Sequence, residues 1–259
     1  MKTLLFLTLL LYIAGFIDLA SMYVARGRVS MRLAMGLVSA GFLLHTAALL
    51  WRSYGAGRLP VVGMDETLLF YSWVTVGTVL ILLIRYGRRY IELLTLPVAF
   101  FALALSAIML KEVRPLPLIL KTYWFEIHVI TSFIAYSLFT VGFSGALFYT
   151  IKIAATEEKV REDFLRISRM SVLWGFMFFS ASMFSGAIWA YLAWGMYWMW
   201  EPKILWSFIL WFWYAGMLHL LYLKGMREVG ICVTAIVGFF LTLFTYLGVG
   251  LLMKSSHSF

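Results

Sequence analysis

Residues 3–23 read TLLFLTLLLYIAGFIDLASMY, an apolar run carrying a single charge, Asp18. As a helix rising ~1.5 Å per residue it is about 30 Å long, the thickness of a bilayer's hydrocarbon core. The pattern repeats over residues 31–51, 66–84, 91–110, 127–151, 171–193, 204–223 and 230–252. Each run is continuously apolar rather than alternating over about ten residues, which excludes a transmembrane β-barrel. The whole chain of 259 residues is 63% hydrophobic and 13% charged, with a mean hydropathy of +0.93. A soluble domain needs more charge than this to cover its surface. The sequence therefore predicts an all-α, polytopic membrane protein with about eight transmembrane helices. The first run follows Met1-Lys2 without a small-residue cleavage site, so it reads as a retained helix and not a signal peptide.

The formal net charge of +9 does not call for a nucleic-acid partner, because the basic residues sit in short clusters between apolar runs. Arg26, Arg28 and Arg32 follow the first run. Arg85, Arg88 and Arg89 follow the third, Lys152, Lys159, Arg161, Arg166 and Arg169 the fifth, and Lys224 and Arg227 the seventh. The opposite connections hold fewer. The positive-inside rule then predicts this set in the cytoplasm and both termini outside, with membrane lipid as the surroundings. The segment EEKVREDFLRISRM (157–170) spaces Val160, Phe164, Leu165 and Ile167 helically among charges. It predicts a surface-lying amphipathic helix or a helical extension of the next span. Cys232, the lone cysteine, lies in an apolar run, has no partner for a disulfide or a CxxC pair, and reads as a small core residue. Without repeats, linkers or low-complexity segments, residues 1–259 read as one membrane domain.

The segment that carries chemistry is WGMYWMWEPK, Trp194 to Lys203, an outer loop under this topology. Trp194, Tyr197, Trp198 and Trp200 crowd into it. Aromatic residues also belt membrane interfaces without further function. Gly195 and Pro202 predict a turn rather than straight helix, and Glu201 and Lys203 close the segment with a charge pair. Two histidines fall on the same side. His128 opens the fifth run, after KEVRPLPLILKTYWFEI, and His257 stands in the tail KSSHSF. Either imidazole alone is compatible with an ordinary interfacial residue. Two imidazoles at one level, flanking an aromatic platform, suit a haem iron that takes axial ligands on both faces. Arg58, Lys121 or Lys203 would pair with its propionates. A zinc or copper site fits less well, since no cysteine or dense carboxylate cluster lies nearby.

WGMYWMWEPKILW (194–206) resembles the tryptophan-rich signature (WWD motif) of the haem-handling proteins of cytochrome c assembly, which reads close to WGRYWGWDPKETW. The Pro-Lys ending is most similar to the CcsA/ResC type of the two-component (system II) pathway. SGAIWAYLAW before the motif, WYAGMLHLLY after it, the tail SSHSF, and GFLLHTAALLWR with DETLLFYSW near the start extend the resemblance over nearly the whole chain. It implies that Trp194, Trp198, Trp200 and Glu201 contact haem, that His128 and His257 ligate its iron, and that His219 ligates a second haem iron within the bilayer. Glu201 replaces the usual Asp, and Ile204 replaces the usual Glu. The second change removes a carboxylate and any proton role it had.

His45 and His219 both lie inside predicted spans, where ionisable residues are functional candidates. Straight helices rising ~1.5 Å per residue would set their levels roughly 13–15 Å apart, too far for one iron. A second ligand for His219 would then come from another chain, and the resemblance implies a CcsB/ResB-type membrane subunit. His45 is expected to make an interhelical hydrogen bond, and Asp18 to be a buried hydrogen-bonding residue. Asp65 and Glu66 match an acidic position of the family without a role of their own.

The function the resemblance implies is cytochrome c biogenesis: haem b is bound at the outer face and presented for thioether attachment to apocytochrome c CxxCH motifs. The chain would be a component of a holocytochrome c synthase (haem lyase) complex in the bacterial plasma (inner) membrane or an equivalent, its site facing the periplasm. The alternative is a haem exporter or chaperone that performs no ligation. A cytochrome b-type electron carrier would need paired histidines at matched depths, which the spacing of His45 and His219 does not provide.

Overall fold

The computed structural model describes residues 1–24, 31–87, 90–113, 116–151, 158–221 and 228–253. Eight principal helices account for most of them: α1 (Lys2–Val24), α2 (Met31–Ala56), α3 (Gly63–Tyr86), α4 (Glu92–Met109), α5 (Tyr123–Ile151), α6 (Glu158–Trp194), α7 (Pro202–Leu220) and α8 (Glu228–Leu243). A 3₁₀ turn (Leu118–Leu120) precedes α5. A π-helical turn (Phe244–Gly248) and a short α-turn (Val249–Leu252) continue α8. No strand occurs among the described residues. The protein is a polytopic, all-α membrane protein.

Seven helical segments are long and apolar enough to cross a membrane, among the described residues. The eighth expected span, α7, is helical but does not reach that mark, because PKILWSFILWFWYAGMLHL mixes tryptophan, tyrosine, lysine, serine and histidine into its apolar residues. Over its described residues, 158–170, the amphipathic stretch is a helical extension and not a separate surface helix. It is continuous with the following span in the 37-residue α6. At ~1.5 Å per residue that helix is about 55 Å long, so part of it must project beyond the hydrocarbon. Phe164, Leu165 and Ile167 are buried there.

The chain forms two compact units, residues 1–115 and 116–259. In the first, α1 pairs with α2 and α3 with α4. Small residues set the spacing: a Cβ on Gly41 would sit 2.7 Å from the Tyr12 ring, so the backbones approach as closely as a glycine allows. Tyr12, Val38, Leu69, Val76, Leu96 and Leu103 fill the centre. His45 makes the expected interhelical contact, its Nδ1 lying 3.2 Å from the Tyr12 hydroxyl. Asp18 differs from expectation, because its Oδ2 is buried without a hydrogen-bond partner among the described residues.

One end of this unit is tied by a buried charge network. Arg52 at the end of α2 donates from Nε to Glu66 Oε1 (3.0 Å), from Nη2 to Asp65 Oδ2 (3.3 Å) and from Nη1 to the Lys111 carbonyl (2.7 Å). Arg58 in the following loop donates two N–H groups to Glu66, at 2.6 and 3.2 Å. Backbone N–H groups of Val62 and Lys111 reach the same carboxylates. Two guanidiniums thus meet two carboxylates, and the ends of α2, α3 and α4 are joined. Sequence reasoning assigned Arg58 to an external anion and left Asp65 and Glu66 without a role. Arg58 pairs with Glu66, and Asp65 pairs with Arg52.

In the second unit α5 and α6 form the most extensive pair, with α8 against α5 and α7 against both α8 and α6. Here too glycine permits the approach. A Cβ on Gly145 would lie 2.8 Å from the Phe164 carbonyl, and Ser168 Oγ donates to the Gly142 carbonyl at 2.8 Å. Stacked rings, Phe139 on Tyr214 (3.7 Å between centroids) and Phe143 on Phe239 (4.2 Å), fill the rest.

Candidate functional site

The tryptophan loop is shaped by its two punctuating residues. Gly195 takes a positive φ of 73° and its N–H bonds to the Tyr191 carbonyl at 2.8 Å, which ends α6. Glu201 is the extended N-cap of α7, and Pro202 occupies the first turn, where a missing N–H costs nothing. The loop between them is held by rings. Tyr191 stacks on Tyr197 (4.4 Å), and Trp194 meets Trp189 edge-on (4.9 Å). Trp198 meets Phe208 edge-on at 4.3 Å and Trp200 at 5.5 Å. Trp200 itself is 85% exposed.

Beneath this loop lies a partly open cavity of about 130 Å³ within the second unit. Its walls come from α5 (His128, Ser132, Tyr136), α6 (Ser182, Gly186, Trp189), the loop (Tyr197, Trp198) and α7 (Lys203, Ile204, Phe208). Ligand pockets are mostly apolar with a few placed polar groups. The lining has that character.

His128 is half-buried in the second turn of α5. Its Nδ1 lies 2.9 Å from the Ser182 carbonyl oxygen and 3.1 Å from Ser182 Oγ. A carbonyl oxygen only accepts, so Nδ1 carries the proton and the lone pair sits on Nε2, the tautomer a metal ligand needs. Trp189, 1% exposed, lies nearly parallel to the imidazole at 6.2 Å and donates its Nε1–H to the Ile119 carbonyl at 2.9 Å. Gly186 leaves room for the ring: a Cβ there would be 2.6 Å from Nδ1. Ser182, Gly186 and Trp189 were not singled out from sequence. Their spacing of four and three residues places them on one helical face, and that was the available signal.

The remaining site residues divide. Trp198 lines the cavity directly, Trp194 backs it through Trp189, and Trp200 touches Trp198. Glu201 stands half-buried at the head of α7. Ile204, the departure from the family's carboxylate, is a cavity wall residue, so the space is apolar at that point. His219 is not part of this cluster. It is exposed near the far end of α7, twelve residues beyond Ser207 on the cavity wall, and thus about 18 Å farther along the helix at ~1.5 Å per residue. His257 lies outside the described residues. Lys203 lines the cavity. Its Nζ donates to the Thr245 and Tyr246 carbonyls of the π-helical turn (2.8 and 3.2 Å) and sits 5.5 Å from the Tyr246 ring centroid. Lys121 is exposed.

A polytopic helical membrane protein with an aromatic loop roofing an imidazole-bearing cavity is the class these features define. The chain belongs to the cytochrome c assembly protein family, whose model matches residues 61–257. Helices α1 and α2 precede that range. Among its relatives are the cytochrome c biogenesis protein CcsA of Synechococcus sp. (strain RCC307), 27% identical over 88% of this chain and 85% of that one. The CcsA of Prochlorococcus marinus (strain AS9601) is 28% identical over 94% and 88%. Among solved structures, the cytochrome c heme lyase CcmF shares the fold with a TM-score of 0.72 at 19% identity, covering 98% of this chain and 46% of that one. Cytochrome c biogenesis is therefore the process to which the chain belongs.

Proposed function

We propose that the second unit holds haem b as a substrate under the tryptophan loop, with its iron between His128 and His257. The loop 194–203 faces the periplasm, both termini lie outside, and the whole of residues 1–259 works as one domain of the bacterial plasma membrane. The observation that carries this reading is the His128 imidazole, fixed in the tautomer that places its lone pair on Nε2, on the wall of an aromatic cavity. Trp198 and Trp194 supply flat apolar area for the macrocycle, and Glu201 borders it. Arg58 is committed to Glu66, which leaves Lys121 and Lys203, the second of them on the cavity wall, as the sequence candidates for a propionate. His219 is too far along α7 to share this iron. It serves a second haem with a histidine from a CcsB/ResB-type partner subunit.

The chain's contribution is orientation and exclusion of water, while the bond-making belongs to haem and the apocytochrome's thiols. The histidine of the CxxCH segment replaces one axial imidazole. Each cysteine S–H then adds across a vinyl double bond, sulfur to one carbon and hydrogen to the other. Two thioethers form with no leaving group and no net transfer of electrons. The test is to incubate the purified chain and its partner subunit, loaded with haem, with a CxxCH peptide. Covalent haem on the peptide is expected. Transfer of haem without a covalent bond would replace this reading with that of an exporter or chaperone.

A further inference from the structure

The protons around His128 can be assigned one by one. Ser132 Oγ lies 2.7 Å from the His128 carbonyl oxygen, one turn back on α5, and donates its only proton there. Ser132 Oγ is also 2.6 Å from Ser182 Oγ. With the Ser132 proton used, Ser182 must be the donor in that second bond. Ser182 Oγ, 3.1 Å from His128 Nδ1, then has only lone pairs to offer the ring nitrogen. The Ser182 carbonyl, 2.9 Å away, offers the same. Three donors with one proton each close a cycle: Nδ1–H to Ser182, Ser182 to Ser132, Ser132 to the His128 carbonyl. Both hydroxyl-bearing residues are buried, Ser182 completely (0% exposed), so water does not compete for these protons.

We propose that Ser132 and Ser182 form a tautomer lock on His128, and that Ser182 is a positioning residue for haem ligation. The proposal rests on the reading of His128 as an iron ligand. Without Ser132, the Ser182 hydroxyl is free to turn its proton toward Nδ1 and to favour the wrong tautomer. With Ser132 accepting, that orientation is closed. The ring then donates to two acceptors at once, which raises the electron density it passes to iron through Nε2 and favours the ferric state. Gly186 and Trp189 keep the imidazole in the plane where both bonds persist.

The test uses the full-length chain purified with haem bound, comparing S182A, S132A and S182T with H128A and the control S168A. Ser168 is as deeply buried on α6, but its hydroxyl donates to the Gly142 carbonyl, away from the ring. Haem release to an apoglobin scavenger and the haem midpoint potential are the readouts. S182A is expected to release haem roughly 10-fold faster, the low end of the loss seen when an outer-shell partner of a metal ligand is removed. Its potential shifts upward, S132A shifts it the same way by less, S182T restores both values, and S168A changes neither. If S182A keeps wild-type release and potential while H128A loses its haem, the lock is wrong. Failure of S182T to restore the potential overturns it as well, since the serine would then act by packing alone. Full haem retention by H128A would instead remove the ligand reading beneath the proposal.

Discussion

Gly186→Ala is a one-methyl change aimed at the imidazole. A Cβ at residue 186 would stand 2.6 Å from His128 Nδ1 and 2.9 Å from Cε1, whereas ordinary contact begins at 3.4 Å. The ring must therefore retreat from 2.6 to 3.4 Å, a movement of about 0.8 Å at a site where an error of ~1 Å in placement costs up to ~10²-fold. Along the bond to the Ser182 carbonyl, such a retreat would stretch 2.9 Å to roughly 3.7 Å, which is no longer a hydrogen bond. Overpacking of this kind costs about 1–3 kcal/mol of fold stability, and loss of the outer partner of a metal ligand costs ~10–100-fold in affinity. Gly175→Ala separates the two effects. Its Cβ would meet the Phe139 ring at 2.7 Å, a matched clash about 16 Å farther along α6 at ~1.5 Å per residue. Haem content after purification, and release to a scavenger, are the assays. Gly186→Ala is expected to release haem ~10–100-fold faster, with Gly175→Ala near wild type and both similarly destabilised. Equal haem retention in the two variants would refute the argument that residue 186 is a glycine for the sake of the imidazole.

Three further outcomes follow from packing and charge. Arg52→Met leaves Asp65 buried without its guanidinium and should cost about 3–5 kcal/mol, read as a lower unfolding midpoint in mild detergent. An unchanged midpoint would mean the network contributes nothing net. Lys203→Met removes a charged donor from the Thr245 and Tyr246 carbonyls and should cost about 1.5–3 kcal/mol, as for a hydrogen bond to a charged group. Hydrogen exchange should rise in the turn 244–248, and unaltered exchange would contradict the tie. Trp189→Ala, at a 1% exposed ring, should destabilise by about 3–5 kcal/mol. Trp200→Ala, at an 85% exposed one, should stay within ~0.5 kcal/mol of wild type, and the reverse order would show that the loop is packed differently.

Local chemistry was legible in the sequence, and long-range pairing was not. The runs of about twenty apolar residues fixed the helices, because a spanning helix needs its length within a single segment. Gly195 and Pro202 announced the turn, since left-handed backbone and a missing N–H are properties of those residues themselves. The place of His219 near the C-terminal end of its helix also followed from the apolar run. Arg52, Arg58, Asp65 and Glu66 were another matter. Their pairing joins three helix ends, and nothing in the spacing of 52, 58, 65 and 66 states which cation meets which carboxylate. Lys203 shows the same limit. Its hydrogen-bond partners are carbonyls of a π-helical turn, an irregularity that apolar periodicity does not record. At the site, His128 was found by type and topology. The residues that aim it, Ser182, Gly186 and Trp189, are small or apolar and look like core when read singly.

The proposed haem site requires two imidazoles, one from residue 128 and one from residue 257, on the same iron. The direct measurement is the absorption spectrum and haem content of His128→Ala and His257→Ala chains, each made in a His219→Ala background so that only the cavity haem is counted. Each variant should lose the bis-imidazole spectrum and most of its haem. Wild-type haem content and an unaltered spectrum in both would contradict it.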